Sequence, residues 1–338
     1  MNIQSAIQKA TENQDLTREE MTDVMHLIMT GQATDSQIGG FLIAMRMKGE
    51  TVDEITAAAT VMRSLSTSVD LETKNLVEIV GTGGDGSSTF NISTASCLVV
   101  AAAGGRVAKH GNRSISSKSG AADLLEQAGV NINITAEQVK VCVEEIGVGF
   151  MFAPLHHSAM KYAIGPRKEM GVRTLFNLLG PLTNPAGTPN QVLGVFDKIW
   201  VRPIADVLNQ LGSHHVMVVH GEDGMDEISI SASTFVSELK DGKVTEYTIK
   251  PEDFGFTQHP ISDIRVKNAE ESLEIVSSVL NNEPTTARDI VALNAGAAIY
   301  VSGLAASHQA GIEHALEVIA SGVAKHKLLD LINMTNAF

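Results

Sequence analysis

The stretch Leu76-Val77-Glu78-Ile79-Val80-Gly81-Thr82-Gly83-Gly84-Asp85 decides how the chain is read. A short, mostly apolar run ends in a glycine-rich loop, the pattern of a buried strand entering a tight turn. Downstream, the small residues from about Ser93 to Ala103 read as a helix, and Val107-Ala108 as a brief strand. Residues 119–128 and 135–146 read as helices stopped by Gly129 and Gly147. Val148 to Phe152, Val192 to Phe196 and His215 to Val219 read as strands, with a helix at about 200–211 before the last of them. This alternation predicts a largely parallel sheet covered by helices on both faces. Val236 to Lys240 and Lys243 to Ile249, joined by Asp241-Gly242, carry a hairpin signal, and the C-terminal region returns to helix.

Upstream of the decisive stretch the pattern is purely helical. Thr17-Arg18-Glu19-Glu20 has the form of a capping box, and Met21, Val24, Met25 and Ile28 follow on one helical face. The same signal recurs at Thr34 to Gln37 and at Thr51 to Glu54, each time before an apolar face. Successive short capped helices predict a small helical domain over residues 1–70.

Composition sets the outer limits. The 338 residues are 43% hydrophobic and 19% charged, an ordinary globular balance with room for a sizeable core. A formal net charge of −14 argues against general binding of nucleic acid or anionic membranes. Cys97 and Cys142 lie in apolar stretches without CxxC spacing and read as buried free thiols. The longest apolar stretch, Cys97 to Ala103, is far shorter than the ~20 residues a membrane span needs. No basic segment followed by an apolar run marks the N-terminus, so a cytoplasmic location is expected.

Against that acidic background, acids vanish from two places. None occurs in the 37 residues between Asp85 and Asp123, which hold Arg106, Lys109, Arg113 and Lys118. Between Glu145 and Asp197 the only acid is Glu169, beside Lys161, Arg167, Lys168 and Arg173. Two basic islands in an acidic protein predict a site for an anionic small molecule. Gly81, Gly83 and Gly84 let backbone N–H groups approach a phosphate, and Thr89, Asn91, Ser93 and Thr94 cluster where the next helix starts and offers unpaired donors. Lys109 to Gly120 combines cations, hydroxyls and glycines between a strand and a helix, as a diphosphate cradle requires. It has neither Walker A spacing nor GxGxxG, which argues against a kinase or a dehydrogenase.

These stretches carry a family resemblance. Gly81-Thr82-Gly83-Gly84-Asp85 with Asn91-Ile92-Ser93-Thr94 resembles the diphosphate-binding motif of anthranilate phosphoribosyltransferases, and Lys109-His110-Gly111-Asn112-Arg113 resembles their second signature. Pro154-Leu155-His156-His157, the run from Arg173 to Pro185, and Asp223-Gly224-Met225-Asp226-Glu227 match in the same order, so the resemblance covers nearly the whole chain. It implies a small N-terminal helical domain plus a large doubly wound, mostly parallel sheet domain of the nucleoside phosphorylase and phosphoribosyltransferase kind. Residues 1–70, joined by about 160–187, would form the former. Residues 71–159 and 188–338 would form the latter, with the active site in the cleft between them.

The resemblance also implies a set of site residues. For 5-phosphoribosyl 1-diphosphate (PRPP) they are Gly81, Gly83, Gly84, Asp85, Thr89, Asn91, Ile92, Ser93 and Thr94, then Lys109, His110, Gly111, Asn112, Arg113, Ser114, Ile115, Ser116 and Ser117, and Ala121, which stands where a serine is frequent. For anthranilate they are Gly81, Asn112 and Arg167, whose guanidinium suits a carboxylate. For Mg²⁺ they are Ser93, Asp226 and Glu227. Neither His110 nor His157 is given a proton-transfer role. Family members are usually homodimers joined through the helical domains. The alternative is a pyrimidine nucleoside phosphorylase, similar from Lys109 to Asp123. Those enzymes are generally longer, and the glycine loop, Asn91 to Thr94 and the Asp226-Glu227 pair favour the transferase. A silent relative that binds nucleic acid is opposed by the net charge.

Overall fold

The structure, a computed structural model, describes residues 1–114 and 119–338. The chain opens with α1 (Ile3–Thr11), α2 (Arg18–Met29), α3 (Asp35–Lys48) and α4 (Val52–Ser64). Thr17, Thr34 and Thr51 form the reciprocal caps that the sequence signals, with Glu20, Gln37 and Glu54 returning to the cap N–H groups. Each such cap contributes about 1 kcal/mol. Glu54 does more. It is buried, and its carboxylate also accepts the Leu16 N–H at 2.8 Å and the Lys48 ammonium at 2.8 Å, which ties α3 and α4 to the start of α2.

The second part begins with β1 (Leu76–Gly81), α5 (Ile92–Ala102), β2 (Arg106–Gly111), α6 (Ala121–Gln127), α7 (Ala136–Ile146) and β3 (Val148–Phe152). A short α8 (Ala153–His156), α9 (Lys161–Met170) and α10 (Leu175–Leu182) follow. Helix α9 packs on α2 and α3, and α10 on α3 and α4. Ala163, Leu175, Phe176, Leu179 and Leu182 thereby share one apolar cluster with the N-terminal helices. The chain then returns through β4 (Asn190–Gly194), α11 (Val201–Gln210), β5 (His215–Gly221), β6 (Thr234–Lys240) and β7 (Lys243–Ile249), and ends in α12 (Ala269–Leu280), α13 (Thr286–Val301), α14 (His308–Ala320) and α15 (Val323–Asn336).

Among the described residues one seven-stranded sheet runs β3-β2-β1-β4-β5-β6-β7. Its first five members are parallel, and β6 and β7 are antiparallel. Side chains alternate between faces, as strand geometry requires. Val77, Ile79, Val192, Met217 and Val219 face α5, α13 and α14, while Leu193, Val216 and Val218 join the cluster that contains α11 and the N-terminal helices. No helix of the described residues is long and apolar enough to cross a membrane.

Some sequence-derived boundaries need correcting. The strand expected at Val192 to Phe196 is Asn190–Gly194, because its register against β1 pairs Val77 with Asn190 and Gly81 with Gly194. The strand expected at Val107-Ala108 extends to Arg106–Gly111, drawn out by its pairing with β3. The helix expected over 119–128 is Ala121–Gln127, since the Gly120 N–H is taken by the Asp123 side chain at its start.

Candidate active site

The strand order places the site. From β1 the chain moves to β2 and β3 on one side, then returns to β4 on the other side of β1. Ligands of such sheets bind beyond the carboxyl ends of the strands at this reversal, which here means beyond Gly81 and Gly194. The loop after β5 crosses that point. The Asp226 carboxylate accepts the Gly83 N–H at 2.6 Å. A Cβ on Gly81 would lie 2.3 Å from the Asp226 carboxylate, and one on Gly194 would lie 1.5 Å from its backbone oxygen. Only glycine fits at either strand end while Asp226 sits there. Gly83 and Gly84 have φ of +67° and +74°, so the turn between them suits residues without a side chain.

Asp226 and Glu227 are held in an unfavourable state. Burial, then the negative charge of Asp85, push the Asp226 carboxyl up to about 7 against the help of the Gly83 N–H. Burial and the Asp226 charge push Glu227 well above the usual carboxylate range, although the Lys109 charge and the Ser93 N–H act the other way. Beneath them Lys109 is buried, and its ammonium donates to the Ile79 carbonyl at 2.9 Å and to the Ser93 hydroxyl at 3.2 Å. Asp226, Glu227, Ser93 and Lys109 therefore surround one point at the N-terminus of α5. The set is oxygen-rich and places two adjacent acids against a single ammonium, which fits a hard divalent ion better than a soft one.

The other candidates fall into three groups. Asn91 does not cap α5; its side chain instead binds the Ser119 carbonyl at 3.1 Å and the Ser272 hydroxyl at 2.8 Å, which leaves the first turn of α5 without a side-chain cap. Asp85 accepts the Ser87 N–H at 3.2 Å, and Thr89 forms an isolated bridge to Arg265. Gly111 lies against Ala121 and the Phe150 ring, and Asp123 takes the Ser114 N–H at 2.9 Å. Arg113 pairs with Glu126 and lies over the Phe152 ring, and Asn112 accepts the Arg113 N–H at 2.8 Å. Ile92 and Thr94 are buried, and the Ile92 N–H is spent on the Phe90 carbonyl at 2.8 Å. The candidates Ile115, Ser116 and Ser117 lie outside the described residues.

Arg167 stands apart on α9. It lies over the Phe176 ring at 5.2 Å, and burial lowers its pKa from the ordinary guanidinium value. No ion pair among the described residues neutralises it, and no hydrogen bond among them joins it to Gly81 or Asn112. His110 and His157 meet ring to ring at 4.9 Å, and the Nε2 atom of each is buried without a partner among the described residues. Burial holds His157 at about 4 and His110 well below its ordinary value, so both are neutral near pH 7.

Three residues escape the sequence reading. Gly194 carries no signal beyond being a glycine inside a predicted strand. Arg173, in a basic island but without an assigned contact, stacks on Phe196 at 4.4 Å and bonds the Gly84 carbonyl, which pins the glycine loop from the α9–α10 side. Glu78 is hidden inside the apolar run.

Comparison with known proteins gives the class and then the family. The glycosyl transferase family helical bundle domain matches residues 4–66, and the glycosyl transferase family a/b domain matches residues 73–325. The two-part fold with its site at the sheet reversal is thus that of a glycosyl transferase. An anthranilate phosphoribosyltransferase of Thioalkalivibrio sulfidiphilus is 62% identical over 335 residues, 99% of each chain. The crystal structure of anthranilate phosphoribosyltransferase from Thermus thermophilus superposes with a TM-score of 0.93 at 41% identity, covering 98% of this chain and 99% of that one. The enzyme from Saccharomyces cerevisiae in complex with PRPP and Mg gives 0.90 at 26% identity, over 99% and 98% of the two chains. This chain belongs to the anthranilate phosphoribosyltransferase family.

Proposed function

We propose that this protein transfers the phosphoribosyl group of PRPP to the amine of anthranilate, giving N-(5-phosphoribosyl)anthranilate and diphosphate, a step of tryptophan biosynthesis. The observation that carries the reading is the convergence of a glycine loop, the uncapped first turn of α5, buried Lys109 and the Asp226-Glu227 pair on one point at the sheet reversal. Loss of diphosphate from the anomeric carbon builds negative charge on the leaving group. Fixed N–H donors and a nearby ammonium stabilise that charge without reorganising. Mg²⁺, held by Asp226, Glu227 and Ser93, would neutralise the departing diphosphate. The two acids would lose their mutual repulsion and protons as it binds.

An aromatic amine is neutral near pH 7, so the nucleophile needs positioning rather than a strong base. Arg167 supplies a half-buried guanidinium, without an ion pair among the described residues, for the anthranilate carboxylate, and Asn112 and the Gly81 backbone are the further contacts. Neutral His110 and His157 are suited to accept or donate a hydrogen bond, not to hold charge. We place the site in a cleft between residues 1–70 with about 160–187 and the rest of the chain. The protein acts as a cytoplasmic homodimer joined through its helical domain, where Met47 on α3 is an exposed apolar side chain. Incubation with anthranilate, PRPP and Mg²⁺ is expected to extinguish anthranilate fluorescence. Phosphorolysis of thymidine or uridine in its place would replace this reading with the pyrimidine phosphorylase one.

A further inference from the structure

Strand β1 pairs with β4 along its whole length, from Val77 opposite Asn190 to Gly81 opposite Gly194. With β2 it pairs only at Leu76 opposite Arg106 and Val77 opposite Val107. Beyond that the two strands part, although β2 stays paired with β3 as far as Gly111. The Arg106 N–H donates to the Asn75 carbonyl, which fixes the phase of the ladder. Continued in that phase, the Ile79 N–H would meet the Ala108 carbonyl, and the His110 N–H would meet the Ile79 carbonyl. Neither bond is made.

Side chains take three of these four backbone groups instead. The Ala108 carbonyl accepts from the Asn184 side chain at 2.9 Å. The His110 N–H donates to the Glu78 carboxylate at 3.0 Å. The Ile79 carbonyl accepts the Lys109 ammonium at 2.9 Å. Buried backbone groups must be paired, so a seam opened here requires such substitutes. Glu78 is the member that reaches both neighbouring strands. Its second oxygen accepts from Gln191 on β4 at 2.8 Å, so one buried carboxylate links β1, β2 and β4. An apolar residue at 78 would leave the His110 N–H free to close onto Ile79 and evict Lys109.

We propose that Glu78 is a positioning residue for the transfer reaction: by keeping β1 and β2 apart at their carboxyl ends, it lets the Lys109 ammonium pass between them to Ser93. The parted seam also sets the separation of the two segments that follow it, Gly81 to Asp85 and Asn112 to Ser114. The proposal rests on the PRPP site assigned above. Glu78 does not touch substrate; it acts through Lys109 and the His110 backbone.

The test compares Glu78→Ala and Glu78→Gln with wild type and with Lys109→Met, by calorimetric titration of PRPP with Mg²⁺, by steady-state kinetics and by amide exchange at His110. Glu78→Ala is expected to weaken PRPP binding and lower kcat by about 10-fold or more, the usual range for a residue that holds a functional group in place. The KM for anthranilate should move by about 3-fold at most, and the His110 amide should exchange faster. Glu78→Gln keeps the volume and one acceptor oxygen. It is expected to fall between Glu78→Ala and wild type, and it carries the test alone if the alanine variant does not fold. Wild-type PRPP affinity and kcat in the variants that fold overturn the proposal, as do losses that fall equally on both substrates. If Lys109→Met also binds PRPP normally, it is the assignment of the PRPP site that fails.

Discussion

Two carboxylates sit partly buried on either side of β5, and their surroundings drive them in opposite directions. Glu238, on β6, accepts hydrogen bonds from His215, Tyr247 and Tyr300, each at 2.8 Å. Burial works to raise its pKa, but these bonds outweigh it and hold the group at about 2. Asp226 has the Gly83 N–H as its donor at 2.6 Å and faces Asp85 and Glu227, and it is pushed up to about 7. The antiparallel edge, where strands pair without interruption from His215 opposite Lys240 to Gly221 opposite Thr234, satisfies its acid completely. At the parallel carboxyl ends the acids are left short of positive charge. A group with all its partners is finished; a group denied them is available to a ligand.

That contrast can be broken most directly at the acids themselves. The double variant Asp226→Asn, Glu227→Gln is expected to lower kcat by about 100-fold or more, as loss of leaving-group stabilisation does. PRPP binding measured without metal should fall far less or improve, because two acids that can ionise leave the site. Full activity of this variant, or tight Mg²⁺ binding by the free wild-type enzyme, would sink the metal assignment.

Arg167 is the cationic counterpart, half-buried and without an acid partner among the described residues. Arg167→Ala should raise the KM for anthranilate by about 10- to 100-fold, the equivalent of roughly 1.5–3 kcal/mol for a charge-assisted contact, and leave that for PRPP nearly unchanged. Unaltered anthranilate kinetics in the folded variant would remove Arg167 from the site.

At the satisfied end, Glu238→Gln should cost about 1–3 kcal/mol of stability at pH 7 with no change in kcat. Its depressed pKa gives the sign: the contribution is present above its unfolded pKa of ~4.3 and disappears as pH falls through about 2. The stability gap between variant and wild type, followed by urea unfolding, should therefore narrow progressively as pH falls from about 4 to about 2. A gap that persists there would mean that packing, not charge, makes the difference.

Asp226 sharpens the comparison with the smallest effect and the opposite sign. Its pKa is raised in the fold, so its contribution is fully present below its unfolded pKa of ~3.9 and is lost as pH rises through about 7. Joint binding of Mg²⁺ and PRPP near pH 6 should then release protons, detectable as a dependence of the calorimetric heat on the buffer. Heats independent of buffer would show that the pair is already ionised.

Local signals are readable in the sequence, and long-range ones are not. The caps at Thr17, Thr34 and Thr51 and the turn at Asp241-Gly242 each depend on residues a few positions apart, and each forms. The glycine loop is legible because φ near +70° at two neighbouring positions leaves few alternatives. The start of β4 is not, because Asn190 and Gln191 are polar yet buried. Asn190 bonds the Leu76 carbonyl at 2.9 Å and Gln191 the Glu78 carboxylate at 2.8 Å, so hydropathy begins the strand only at Val192. Gly194 is invisible for a related reason. Its need for glycine arises from Asp226, which reaches it only once the sheet is assembled.

The Asp226 carboxylate on the Gly83 N–H has a bearing on competition in the cell. The Gly83 N–H, one of the donors that the proposed function assigns to a diphosphate, is occupied at rest by an acid belonging to the protein. A small monovalent ion offers no better bond than the one it would displace, and it leaves two carboxylates uncompensated beside it. A ligand that arrives with its own divalent cation exchanges places without that penalty. Under the proposed function, the loop would discriminate against inorganic anions in favour of a metal-bound diphosphate, a selectivity obtained by prior occupancy instead of by shape.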